Sequence, residues 1–149
     1  MVDQHIQIRA ATEKDLPRLV EIFRASRQRL LPFLPILYSR EQDFAHLKDL
    51  LNRGEVRLGL SGQQVAGFLV RIDHWVAHLY VHPDLIAQGV GKALLDDAKS
   101  RARRLELWCF EANLRARQFY EQQGFDLVRT TEGENDEGLP DRLYRWVRD

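Results

Sequence analysis

His78-Leu-Tyr-Val-His-Pro-Asp-Leu-Ile-Ala-Gln-Gly-Val-Gly-Lys-Ala-Leu-Leu95 is the stretch that decides how this chain is read. A β-type run ends at Pro83, and Gln88-Gly89-Val90-Gly91 then leads at once into an amphipathic helical pattern. Glycines at a strand-to-helix junction let the backbone turn sharply and leave its N–H groups uncovered. Those groups sit at a helix N-terminus, where the helix dipole favours an anion. The junction reads as a cradle for phosphate.

Two common phosphate loops do not fit it. A Walker A loop needs glycines five positions apart, then Lys and a hydroxyl residue. Lys92 follows Gly91, but Ala93 stands where the hydroxyl would hold magnesium. A dinucleotide fingerprint needs a third small residue at the position of Leu94, and an acidic residue closing the next strand. Neither is present.

Upstream of the junction, Ile6 and Ile8 alternate with polar residues as a first strand. Thr12 and Asp15 cap a helix to about Arg29, with Leu16, Leu19, Val20 and Phe23 inward. Pro32 and Pro35 make residues 30–37 a loop. Ser39 and Gln42 form a second capping box, opening a helix with Phe44, Leu47, Leu50 and Leu51 inward and Gly54 as its C′ residue. Three strands follow, over residues 55–60, 65–72 and 75–82, with Ser61-Gly62 and Asp73-His74 as turns. Downstream come a helix over 90–103 and a nearly continuous apolar strand over 105–110. Asn113 caps a short helix that ends at Gly124, with Phe125 as the hydrophobic residue beyond it. Strands begin at Leu127 and Leu143, and an acidic loop spans 131–141. This order predicts one α/β (α+β) domain over residues 1–149 around a mixed sheet, in which the strands flanking the 90–103 helix run parallel.

Lys plus Arg equals Asp plus Glu, at 22 each. No whole-chain field therefore draws nucleic acid or an acidic membrane, and neither is expected as a partner. Arg101, Arg103 and Arg104 end a helix and complement its dipole. The lone Cys109 allows no internal disulfide, which suits a reducing cytoplasm, and it reads as a buried inert thiol. The first residues lack the apolar core of a leader peptide, and no run approaches a membrane span.

Residues 79–125 carry a second pattern. After the junction and the next strand come Asn113, Ala116, Phe119-Tyr120-Glu121 and Gly124-Phe125. Together with Gly89 and Gly91, these resemble the GCN5-related N-acetyltransferase (GNAT) superfamily. The resemblance extends to Ile8-Arg-Ala-Ala-Thr-Glu-Lys-Asp15 and spans nearly the whole chain. It implies a sheet of six to seven strands flanked by about four helices, with splayed central strands holding acetyl-CoA. It further implies acetyl transfer, without a metal, to a primary amine of a small molecule, amino acid or peptide, by direct attack through a tetrahedral intermediate. On that resemblance the backbone of Gln88, Gly89, Val90, Gly91, Lys92 and Ala93 serves the pyrophosphate. Leu79, Tyr80 and Val81 pair with the pantetheine arm, Asn113 sits near its amides, and Tyr120 is the general acid. Similar proteins often form homodimers.

The chain departs from the family pattern twice. Ile86 occupies the first signature position, usually Gln or Arg. Ala77 occupies a position that several members fill with a basic Glu or His. His78 and Asp73 are the remaining candidates for the base, alongside a water chain or an acceptor of low pKa that needs none. By alternation, Asp73 shares the face of Ala77, and His78 points the other way. A non-catalytic acyl-CoA sensor on the same fold and a nucleotide-binding module are the alternative readings. Acceptor choice is expected from the proline-stiffened loop 30–37. Glu132, Glu134, Asp136 and Glu137 could attract a cation, although a solvated loop accounts for them as well.

Overall fold

The computed structural model describes residues 5–149. Met1–Gln4, where the reading of a missing leader core begins, lie outside the described residues. Seven strands form one mixed sheet: β1 (Ile6–Ala10), β2 (Glu55–Ser61), β3 (Gln64–Ile72), β4 (Trp75–Val81), β5 (Arg104–Phe110), β6 (Asp126–Thr131) and β7 (Asp141–Val147). Their order across the sheet is β1-β2-β3-β4-β5-β7-β6. Four helices flank it: α1 (Leu16–Leu30), α2 (Arg40–Arg53), α3 (Val90–Ser100) and α4 (Leu114–Gln122).

Strand alternation divides the core into two layers. On β3, Phe68 and Val70 face α1 and α2, where they meet Leu16, Leu19, Ile22, Leu47 and Leu50. Leu69 faces the opposite way, with Leu94 and Leu95 of α3, Leu105 and Leu107 of β5, Phe125 and Tyr144. Each fully buried leucine contributes about 1.5–3 kcal/mol.

The helix caps form as the sequence predicts. Ser39 Oγ accepts from Gln42 N at 3.1 Å, and Gln42 Oε1 accepts from Ser39 N at 2.8 Å. Thr12 N donates to Asp15 Oδ2 at 2.8 Å, although this box opens a short 3₁₀ turn (Glu13–Asp15) ahead of α1. Gly124 takes φ 88 after α4, and Phe125 is buried behind it.

Two expectations are corrected. Phe44 does not face inward; it is 38% exposed. The inward face of α2 instead carries Asp43, Leu47 and Leu50, because Asp43 is drawn in by Arg24 of α1, whose Nη1 lies 2.6 Å from Asp43 Oδ2. Gly54 is not a left-handed C′ residue, since its φ is −127. Glycine is needed there for space: a Cβ would lie 2.8 Å from the Arg71 carbonyl oxygen and 2.9 Å from Ile72.

The central pair, β4 and β5, runs parallel as expected but meets at a single register position, Trp75 opposite Glu106. Glu106 N donates to His74 O at 2.9 Å, and the Glu106 carboxylate lies 2.9 Å from His74 Nε2. Beyond that clamp the two strands part, and the sheet opens into a V.

Replacing Leu47 by Ala should cost about 2–5 kcal/mol of stability. Replacing the neighbouring Phe44 by Ala should cost less than about 1 kcal/mol. Urea unfolding at pH 7 measures both. Equal losses would place Phe44 in the core after all.

Candidate active site

The V between β4 and β5 is the start of a cleft of about 630 Å³. Its edge follows from strand pairing. His82 N donates to Ala66 O at 2.7 Å, and Tyr80 is opposite Phe68. Antiparallel pairs alternate between bonded and non-bonded. The backbone of Tyr80 is therefore used by β3, whereas Leu79 and Val81 turn their N–H and C=O groups toward the V. The Val81 carbonyl is taken by Ser26 Oγ at 2.7 Å. Leu79 N–H, Leu79 C=O and Val81 N–H remain for a guest.

At the far end of the cleft, the sharp turn into α3 is made by two left-handed residues, Ala87 at φ 64 and Gly89 at φ 86. Ala93 N donates to Gly89 O at 3.0 Å, the first bond internal to the helix. Ala93 is thus withdrawn from the expected donors. The N–H groups of Val90, Gly91 and Lys92 precede that bond and have no intrahelical partner. Open space surrounds the point where a Gly89 Cβ would stand. The helix is seated by Gly59 of β2, where a Cβ would come within 2.9 Å of Val90 Cγ1.

Leu79, Tyr80, Val81, Gly89, Val90, Gly91, Lys92, Asn113 and Tyr120 all border this one cleft. Gln88 does not, and its Oε1 accepts instead from Ser61 Oγ at 3.1 Å. Ile86 does border it. Asn113 caps α4, its Oδ1 accepting from Ala116 N at 3.2 Å, which leaves its amide N–H₂ unused. Arg29 and Arg115 also border the cleft, cations that no sequence motif had marked.

Tyr120 projects from α4 among Phe119, Phe125 and Tyr144. Its hydroxyl makes no hydrogen bond to a described residue. Burial pushes its pKa well above the ordinary phenol value, so it remains a proton donor at neutral pH.

A second cavity, of about 770 Å³, lies on the α1–α2 side of the sheet. It reaches β4 at Ala77 and His78, next to the residues that border the first cleft. Both face it because β4 is bulged. Val70 pairs with His78 and Arg71 with Val76, leaving Ala77 as the extra residue. A bulge shifts the alternation by one. Val76 accordingly packs with the α3 layer, while His78 packs with Phe23 at 5.2 Å between ring centroids.

The bulge also overturns the expected parity of Ala77 with Asp73. Asp73 sits in the exposed β3–β4 turn at φ 54, at the closed end of the V, and borders neither cavity. His78 is held by a residue that sequence reasoning missed: His46 of α2, with 2.9 Å between the two Nε2 atoms. Burial is the main cause that lowers the His78 pKa, to about 3, with His46 and Arg27 adding to it.

Residues 34–38 form one wall of this second cavity. The acidic loop is not simply solvated. Asn135 Nδ2 donates to Leu139 O at 2.7 Å and to Asp141 at 3.0 Å, and this bracing turns Asp136 and Glu137 into the cavity. Glu137 meets Arg27 at 3.0 Å, and Tyr38 donates to Asp136 at 3.0 Å. The other Arg27 arm donates to the Tyr80 hydroxyl at 3.0 Å. Glu132 and Glu134 do not border the cavity. Elsewhere Cys109 is buried, and its thiol is pushed up to about 12. Arg101 pairs with Glu55. No helix is long and apolar enough to cross a membrane among the described residues.

A sheet opened between parallel central strands, with a helix N-terminus at the far end of the opening, is the frame of an acyl-CoA-dependent transferase. The chain belongs to the acetyltransferase (GNAT) family, whose domain model matches residues 53–127. A peptidyl-lysine N-acetyltransferase, YjaB of Salmonella typhimurium, is 28% identical over 85% of this chain and 88% of its own. The solution structure of apo-form YjaB from Escherichia coli matches 100% of both chains, with a TM-score of 0.80 and 25% identity. PaiA N-acetyltransferase from Thermoplasma acidophilum, solved with coenzyme A, shares the fold over 96% of this chain and 99% of its own (TM-score 0.74, 20% identity).

A lowered histidine pKa means that the unfolded chain takes up the proton first. His78 therefore contributes stability above the unfolded value of 6.5, and that contribution is lost as pH falls toward about 3. Its imidazole resonances should stay flat from about pH 5 to 8 in an NMR titration. A midpoint near the model-peptide value of about 6.5 would show that the ring is not buried as described.

Proposed function

We propose that this acetyltransferase moves the acetyl group of acetyl-CoA to the side-chain amine of a lysine in a peptide or protein. The observation that supports this most is the meeting of two cavities at successive residues of β4. One is bordered by uncovered N–H groups and cations, the other by apolar side chains and by three carboxylates, Asp43, Asp136 and Glu137, against two guanidiniums, Arg24 and Arg27.

The residues of the first cleft suit coenzyme A. Val90, Gly91 and Lys92 offer N–H groups to a pyrophosphate, and Arg115 adds positive charge beside Arg29, which is paired with Asp84 at 2.9 Å. Leu79 and Val81 offer a strand edge to the peptide-like pantetheine arm. Bound there, acetyl-CoA supplies an activated acyl group. Leu79 N–H, aimed into the V, suits the charge that gathers on the carbonyl oxygen. The amine lone pair forms the C–N bond first, and the C–S bond then breaks as the carbonyl re-forms. Tyr120 gives its proton to the departing sulfur, and His78, neutral at pH 7, takes the proton that the amine loses.

The second cavity suits a lysine. Asp136, which among the described residues accepts only from the neutral Tyr38 hydroxyl while Glu137 is paired with Arg27, attracts its cation, and residues 34–37 line an apolar path for its stem. Ile36, Leu37 and Tyr38 stand exposed at the rim, where flanking residues of a polypeptide would lie. YjaB of Salmonella typhimurium carries the same acceptor in its name. A silent acyl-CoA sensor is the weaker reading. Its support is Ile86 and Ala77; the backbone donors of Val90, Gly91 and Lys92 stand beside the first, and the bulge brings an imidazole to the cavity of the second.

Replacing Tyr120 by Phe should lower kcat roughly 100-fold, with coenzyme A affinity within about twofold of the parent by calorimetry. An unchanged single-turnover rate would remove Tyr120 from the acid role. Replacing Asp136 by Asn should raise KM for a lysine peptide by about tenfold, the effect of losing one charged contact of about 1.4 kcal/mol. Thiol release across a peptide series measures it, and an unchanged KM would turn the assignment toward a different acceptor.

A further inference from the structure

We infer that His46 and His78 form a two-step relay that carries the acceptor's proton from the reaction centre to bulk water. The inference rests on the acetyl-transfer reading above and adds a residue, His46, that no motif of the chain marks.

The two rings come from elements 32 residues apart in sequence, yet their Nε2 atoms lie 2.9 Å from each other. At that distance one nitrogen donates and the other accepts. Neither Nδ1 is bonded to a described residue. His78 itself lines the acceptor cavity, and with its Nε2 committed to His46 its Nδ1 is the nitrogen left for an acceptor there. His46, on α2, lines the same cavity and is the more exposed of the two rings. The pair thus runs along the cavity wall from β4 toward solvent.

An imidazole is two-ended, so a proton gained at one nitrogen can be balanced by one lost from the other. The ammonium proton goes to His78 Nδ1. The His78 Nε2 proton passes to His46 Nε2, and the His46 Nδ1 proton leaves to water. Both rings end neutral with their tautomers exchanged. After product leaves and the cavity refills with water, the tautomers are restored: His78 Nδ1 gives its proton to that water, the His46 Nε2 proton returns to His78 Nε2, and His46 Nδ1 regains a proton from bulk.

The surroundings favour outward transfer. Facing His78 are Phe23 and the Arg27 guanidinium of α1, Tyr80 on its own strand, and Glu137, which is tied to Arg27. Arg27 opposes a charge resting on His78. Burial lowers the His46 pKa too, with Asp43 and Asp49 of α2 offsetting part of that and Arg53 and Arg27 adding to it. Positive charge is thus disfavoured on both rings and most strongly on the inner one, so neither ring holds the proton it passes on.

The test compares parent, His46→Gln and His46→Ala proteins in single turnovers with acetyl-CoA and a lysine peptide, from pH 6 to 9. Gln can keep a hydrogen bond to His78 but cannot pass a proton through. The expected result for both variants is a rate constant at least tenfold lower, with KM for the peptide and coenzyme A affinity within twofold of the parent. Added imidazole should restore the His46→Ala rate in proportion to its free-base fraction. A His46→Gln rate within twofold of the parent, or a His46→Ala loss that imidazole leaves untouched, overturns the relay while acetyl transfer stands. A parent protein that acetylates no amine overturns the acetyl-transfer reading and the relay together.

Discussion

The site depends on a parallel strand pair that touches at one place. Trp75 opposes Glu106, and the buried Glu106 ties the start of β4 to β5 through both its backbone and its carboxylate. A fully zipped pair would use every backbone group of Leu79 and Val81 internally, and the cleft would not exist. The stability that a complete ladder would have provided comes instead from the two apolar layers. The α3 layer is anchored by Leu94, Leu95, Leu105 and Leu107, all almost wholly buried. The layers hold the strands apart as firmly as hydrogen bonds would have held them together.

The second controlling feature is the bulge at Ala77. Through one extra residue, Val76 lies in the α3 layer and His78 faces the opposite cavity. The two cavities then adjoin along a single strand. Tyr120 borders the first and His78 the second, so in the proposed reaction the sheet itself separates the proton donor from the proton acceptor.

Local chemistry made most of the fold legible in the sequence. Glycine at positions 89 and 124, Asn113 as a cap and the Ser39–Gln42 box each act within a few residues, and each is found as read. The parts that escaped depend on distant partners. Phe44 looked like a core residue because helical spacing allows it, but Arg24 of α1 selects Asp43 for the inner face. Strict alternation put Ala77 and His78 on opposite faces, whereas both line one cavity, since no residue type announces a bulge. His46 lies 32 positions from its partner, and the packing of α2 on the sheet alone brings them together. The acidic loop looked solvated because its internal bracing by Asn135 is a matter of geometry.

The segment Leu79–Val81 serves several neighbours at once. Its backbone on one side continues the sheet into β3, and on the other it opens to the V. Leu79 and Val81 pack toward α3, while Tyr80 meets Arg27 and Phe23 of α1. So many simultaneous demands leave the strand little freedom to change. The loops at 31–39 and 132–140 answer mainly to themselves, the second through Asn135, and they touch each other through Tyr38 and Asp136. With acceptor choice in those loops, as proposed above, descendants of such a protein can exchange one acceptor for another by rewriting two surface segments, keeping an inherited engine whose sequence is pinned from every side.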